Sequence, residues 1–117
     1  MNIIGKVWGT TCPIIQNPVV ELHKLQIKKG YRCSTHRHSF KSNGFYVERG
    51  KLSIHVKKND YNLTDVTILT NGMFTIVKPG EYHWFEALED TDCLELYWPE
   101  LLSEDIVRET VGGNIQK

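Results

Sequence analysis

The stretch GYRCSTHRHSFKSNGFYVERG, Gly30 to Gly50, places two histidines one residue apart in a run closed by glycines at both ends. On a β-strand, side chains two apart point the same way, so His36 and His38 share one face with their imidazoles close together. That geometry suits chelation of a metal, and it equally suits a pair of histidines on a solvated strand face. Where a third, acidic ligand would be expected, the stretch offers Asn43 instead. Cys33 is out of phase with His36, which argues against its sulfur entering such a site.

Outward from this stretch, the pattern is β almost throughout. The run VVELHKLQI alternates Val19, Glu21, His23, Leu25 and Ile27 on one face. FYVERGKLSIHV alternates Phe45 and Val47, then Leu52, Ile54 and Val56, around Arg49-Gly50, and reads as a hairpin. Turn signals recur at KKG (Lys28 to Gly30), KSNG (Lys41 to Gly44), KKND (Lys57 to Asp60), TNG (Thr70 to Gly72), KPGE (Lys78 to Glu81) and EDTD (Glu89 to Asp92). Short strands at such regular spacing point to an all-β sandwich or barrel. SEDIVRETVGG alone departs from the pattern, with Ser103 as an N-cap, Glu104 and Asp105 in a first turn and Gly112 as a stop. It reads as a short C-terminal helix or arm.

A chain of 117 residues suffices for one core, so residues 1–117 are read as a single domain. Lysine plus arginine and aspartate plus glutamate both count 14, which leaves no basic field to gather nucleic acid or an anionic membrane. A small-molecule or protein partner is expected. The N-terminal MNIIGKVWGTTCPII has no basic run ahead of a long apolar core, and no transmembrane-length apolar run occurs, so a cytoplasmic protein is expected. Cys12, Cys33 and Cys93 share no CxxC spacing and read as reduced thiols.

A third histidine, His83, follows the bend at Pro79-Gly80 and opens the next strand beside Trp84 and Phe85. Three neutral imidazoles around one point suit iron, zinc, nickel, copper or manganese without choosing among them. The joint spacing carries more weight than the histidine pair: Gly30, His36, His38, Asn43 and Gly50, then Gly72, Lys78, Pro79, Gly80 and His83.

At these residues the chain resembles the cupins, whose two motifs are written G-x5-H-x-H-x(3,4)-E-x6-G and G-x5-P-x-G-x2-H-x3-N. Gly30, His36, His38, Gly50, Gly72, Gly80 and His83 fall on the pattern. Asn43 stands in place of the glutamate ligand, Lys78 in place of the first proline and Ala87 in place of the last asparagine. The resemblance implies a double-stranded β-helix, or jelly-roll barrel, with His36, His38 and His83 as ligands to one divalent transition metal in its interior. KVWG (Lys6 to Gly9), LQIKKG (Leu25 to Gly30), YHWFEALED and LELYW followed by EDIVRE are further similar to the cupin domain of mannose-6-phosphate isomerase enzymes and their stand-alone sugar-isomerase-like relatives. That family continues past DIVR to a Tyr-Gly-Arg ending, whereas this chain reads ETVGG after Arg108.

The expectation is a metal-binding, isomerase-like cupin acting on a small polar, carbohydrate-derived substrate. Its rivals are a three-histidine iron(II) dioxygenase and a non-catalytic ligand-binding module. An aldose–ketose isomerase needs a base beside the metal, and Glu95 and Tyr97, alternating in CLELYWPE, are the catalytic candidates, set against an exposed or edge-strand glutamate. His23, Asn43, Phe85 and Arg108 are the substrate-binding candidates. His23 is read equally as a core histidine, and Arg108 as the partner of Glu104 or Asp105. His55, out of phase with its apolar neighbours, belongs on the outer face. Trp8, Trp84, Trp98, Tyr82 and Phe85 serve either as a sugar-stacking wall or as core and interface packing. Spare aromatics and exposed edge strands suggest a homodimer.

Overall fold

The computed structural model describes residues 2–58, 63–99 and 107–115. Nine strands run in chain order: β1 (Ile4–Lys6), β2 (Gly9–Gln16), β3 (Glu21–Ile27), β4 (Ser42–Arg49), β5 (Leu52–Lys58), β6 (Leu63–Leu69), β7 (Phe74–Val77), β8 (His83–Ala87) and β9 (Thr91–Trp98). They form a six-stranded sheet in the order β1-β2-β3-β9-β4-β7 and a three-stranded sheet in the order β6-β5-β8, with every pairing antiparallel. This is the all-β, two-sheet arrangement expected of a double-stranded β-helix. No helix among the described residues is long and apolar enough to cross a membrane.

Period-two alternation explains where the core sits. Leu25, Ile27, Phe45, Val47 and Cys93 project from the larger sheet, and Leu52, Ile54, Leu69, Phe85 and Ala87 from the smaller, each at most 3% exposed. Burying such a side chain contributes about 1.5–3 kcal/mol. Along several strands the inward positions turn from apolar to polar toward the same end: Val47, Phe45, Asn43 on β4; Ile27, Leu25, His23 on β3; Ala87, Phe85, His83 on β8; Cys93, Glu95, Tyr97 on β9. Register brings those polar positions into rows, Glu21 opposite Tyr97 opposite Asn43, and His23 opposite Glu95. One end of the barrel is therefore an oily plug and the other a polar mouth.

Two expectations are corrected, and a third lies partly outside the described residues. Phe45–Val56 is not a hairpin: β4 pairs with β7 and β9, and β5 pairs with β6 and β8 in the other sheet. The chain crosses between sheets at Gly50, because the alternation of β4 and β5 is satisfied equally by facing one core from opposite sides. KSNG is not a turn, since Ser42, Asn43 and Gly44 already belong to β4. The expected short C-terminal helix or arm at residues 103–113 lies partly outside the described residues, and residues 107–115 are irregular, as an arm would be.

The crossing itself depends on glycine. Gly50 has φ of +117°, and a Cβ there would lie 2.4 Å from the Asp90 carbonyl oxygen and 2.7 Å from Thr91 Cα. A side chain would face both left-handed strain and a backbone clash. Gly50→Ala is expected to lower stability by about 2–4 kcal/mol, read from the urea unfolding midpoint, whereas Gly112→Ala, with open space around it, should leave that midpoint in place.

Candidate metal centre and its cavity

Between β3 and β4 the segment carrying His36 and His38 forms no regular strand. It lies along β8 through two isolated antiparallel bridges, Arg32 to Glu86 and His36 to His83. His36 N–H donates to the His83 carbonyl at 3.0 Å, His83 N–H donates back to His36 at 2.9 Å, and Gly80 N–H donates to the His38 carbonyl at 2.7 Å. The extended backbone keeps the two imidazoles together as expected, with centroids 5.1 Å apart, while the bridge brings His83 to 4.6 Å from His36 and 5.6 Å from His38. One ligating nitrogen from each ring lies within 4.8 Å of the others.

Hydrogen bonds set the tautomers of two of these rings. Backbone carbonyls only accept, so His36 Nδ1–H donates to the Ser34 carbonyl at 2.8 Å and His83 Nδ1–H donates to the Glu81 carbonyl at 2.9 Å. In the neutral imidazole this leaves the His36 Nε2 lone pair free for a cation, the arrangement that ligating histidines use, while His83 Nε2 faces Asn43 Oδ1 at 3.0 Å, an acceptor that competes with the Glu81 carbonyl for the ring's proton. Burial holds His83 below its ordinary pKa, and burial, aided by His36 and His83, pushes His38 down to about 4. His38 Nε2 is buried and has no hydrogen-bond partner. An orphaned buried nitrogen is costly unless something charged or polar occupies the space before it. The donor set fits a divalent transition metal, which His36, His38 and His83 would hold.

The imidazoles of His36 and His38 open onto a cavity of about 500 Å³, which Glu95, Tyr97 and His23 also line. Glu95 is not on an edge strand, because β9 is paired on both sides. Burial raises its pKa above the ordinary carboxylate value, opposed by hydrogen bonds from Tyr97 and Asn43. Burial beside Glu95 likewise raises Tyr97. Asn43, 1% exposed, reaches both sides: its Nδ2 donates to the Leu96 carbonyl at 3.2 Å and to Glu95 Oε2 at 3.4 Å, and its Oδ1 stands 3.0 Å from His83 Nε2.

Of the remaining candidates, His23 is both a hydrogen-bonded histidine, 3.0 Å from Glu21 Oε1, and part of the cavity wall. Phe85 closes the cavity floor edge-on to Trp8, at 5.1 Å. Arg108 is exposed on the irregular C-terminal segment and lines neither this cavity nor its neighbour. Cys33 does line the cavity, contrary to the phase argument, which assumed a regular strand. Its sulfur accepts the Phe85 N–H at 3.2 Å, and burial pushes its thiol up to about 11. His55 sits on the outer face as expected, stacked on Trp84 at 4.7 Å.

Sequence reasoning missed Glu21 and Lys41. They form an ion pair at 3.3 Å, with the Lys41 ammonium 4.3 Å from the centroid of the Tyr97 ring. Both line this cavity and a second, outer one of about 540 Å³, so they stand where the two meet. The phase of Glu21 with His23 was the available signal; Lys41 lay hidden in an apparent turn.

A two-sheet β-barrel with three convergent histidines in its mouth defines the class of protein. The chain belongs to the cupin family, whose domain model, described as Cupin domain, matches residues 23–98. No curated protein matches it. Among solved structures it is similar to KdgF from Halomonas sp., with 16% identity and a TM-score of 0.72 over 86% of this chain and 90% of that one. It is also similar to an RmlC-like cupin from Shewanella frigidimarina, with 21% identity and a TM-score of 0.71 over 91% and 88%. Oxalate decarboxylase from Bacillus subtilis, studied for its Mn(II) centres, shares 14% identity with a TM-score of 0.73 over 90% of this chain and 29% of that one. At these identities the likeness shows the fold.

His38→Ala is expected to abolish stoichiometric metal uptake while leaving the β-sheet circular dichroism unchanged. Elemental analysis checks this, and undiminished metal content in the variant would remove His38 from the ligand set.

Proposed function

We propose that this chain is a metal-dependent, isomerase-like cupin that moves a proton between adjacent carbons of a small polar, carbohydrate-derived substrate. One observation carries the reading: three imidazoles aim their ligating nitrogens at one point, His38 Nε2 has no other partner, and the same cavity holds a buried carboxyl group. The similarity of LELYW and EDIVRE to the sugar-isomerase-like cupins supports the substrate class, and the Mn(II) centres of the oxalate decarboxylase neighbour support the metal.

A metal held by His36, His38 and His83 would supply Lewis-acid polarisation of a substrate oxygen. The chain's own part is proton handling and orientation. Glu95, whose pKa burial raises above the ordinary carboxylate value, is the group placed to take and return the proton. Tyr97 and Asn43 hold it in place. His23 and Lys41 offer polar contacts to substrate hydroxyls, and Trp8 and Phe85 offer an apolar wall against a sugar face. The domain acts as one unit over residues 1–117. A homodimer is supported by the outer face of the larger sheet, where Ile15, Leu22, Leu96, Gly44 and Ile76 align in one apolar row across five strands.

The test begins with elemental analysis of protein purified without an affinity tag or chelator, followed by anaerobic assay of aldose–ketose interconversion with mannose and mannose 6-phosphate. Zinc, manganese or nickel with anaerobic turnover supports the isomerase; bound iron with substrate-dependent oxygen uptake replaces it by the dioxygenase. Ligand-dependent thermal stabilisation that persists in chelator, without turnover, replaces both by a binding module. Glu95→Gln is expected to lower turnover by roughly 10²–10⁴-fold with metal content unchanged.

A further inference from the structure

Two cavities meet at the barrel mouth, and the residues at their junction belong to both. Glu21, His38, Lys41 and Tyr97 line the inner cavity of about 500 Å³ and the outer one of about 540 Å³ alike. Either volume alone falls in the range of about 300–1,000 Å³ that ligand pockets occupy. A single sugar ring placed beside Glu95 therefore leaves the outer cavity to solvent. The outer lining is suited to a ligand. Phe40, 91% exposed, holds an apolar ring in water at the edge of that cavity. Arg37 also lines it; its guanidinium carbon stands 5.5 Å from the centroid of the Tyr82 ring and, among the described residues, the group pairs with no carboxylate. Asn17 accepts the Val19 and Val20 N–H groups on its Oδ1 at 2.9 and 3.0 Å, which fixes the side chain and leaves its –NH2 as a donor toward the outer cavity that it lines.

We propose that the outer cavity is a second sugar subsite, so that the substrate is the reducing end of an oligosaccharide of at least two units. The reducing unit occupies the inner cavity beside Glu95, and the next unit lies against Phe40, with Arg37, Asn17 and Lys41 donating to its hydroxyls. This rests on the carbohydrate reading above and extends the length of the substrate. A sugar ring presents an apolar C–H face and a rim of hydroxyls, and the outer cavity pairs a phenyl ring with N–H donors. Because His38 lines both cavities, the histidine cluster borders their junction, and the glycosidic bond between the two units is what crosses it. The proton proposed to move lies between C1 and C2 of the reducing unit. The second unit is therefore carried on an oxygen other than those of C1 and C2.

The test is isothermal titration calorimetry of the full chain with two pairs of probes, mannose and β-1,4-mannobiose, and glucose and cellobiose. In at least one pair the disaccharide is expected to bind about tenfold tighter than its monosaccharide, or more. Phe40→Ala, at a position exposed enough to leave the fold alone, should remove most of that advantage, and Arg37→Ala a severalfold part of it. Monosaccharides that bind as tightly as their disaccharides in both pairs would overturn the outer subsite and leave the carbohydrate reading standing. A disaccharide advantage that survives both substitutions would overturn the placement of the second unit against Phe40 and Arg37. Absence of binding by all four sugars would overturn the carbohydrate reading itself, and the subsite with it.

Discussion

Strand β9, hydrogen-bonded along both edges, is the constraint on which the site depends. It pairs with β3 from Thr91 to Tyr97 and with β4 from Asp92 to Trp98, so its register is fixed twice. A slip of one residue would send Glu95 and Tyr97 outward and bring Leu94 and Leu96 into the mouth. Cys93 prevents this, fully buried between Leu25 and Val47, which are 1% and 0% exposed. The apolar end of the barrel thus locks the alignment that the polar end uses. Glu95 and Asn43 meet because the plug beneath them packs in one register only.

The polar end raises the opposite problem, since groups withdrawn from water must find partners. Most of them do so in one chain of contacts: Tyr97 to Glu95, Glu95 to Asn43, Asn43 to His83, and His83 to the Glu81 carbonyl. His38 Nε2 stands outside that chain. Its ring is packed edge-on against Tyr97 at 4.9 Å and against His36, so rotation toward solvent is resisted by the same contacts that aim it. A fold that satisfies its other buried polar groups here and leaves one imidazole nitrogen open has concentrated its unmet demand at a single point. Such a point is where a ligand gains most by binding.

What the sequence disclosed and what it withheld divide along physical lines. Alternation encodes which face a residue occupies, and so Phe45, Val47, Leu52 and Ile54 were legible as core and His83 as the start of a strand. It does not encode which strand lies beside which, and the Phe45–Val56 segment looked like a hairpin although its halves belong to different sheets. Phase arguments also assume regularity. Cys33 was placed outside the site because the segment through His36 was taken as one strand, whereas isolated bridges let the backbone rotate between Cys33 and His36. The ligands were readable because each falls in a motif of fixed local spacing; the company of Glu21 and Lys41 was not, because no such motif holds them and only the fold brings them together.

The replacement of a carboxylate by Asn43 follows the same economy of charge. A glutamate here would lie within reach of Glu95, whose Oε2 is 3.4 Å from the Asn43 amide nitrogen, and two carboxylates in one buried corner oppose each other's ionisation. The amide instead donates to Glu95 with one end and presents an oxygen to the histidines with the other. It joins Glu95 to the histidine cluster without adding a charge to either.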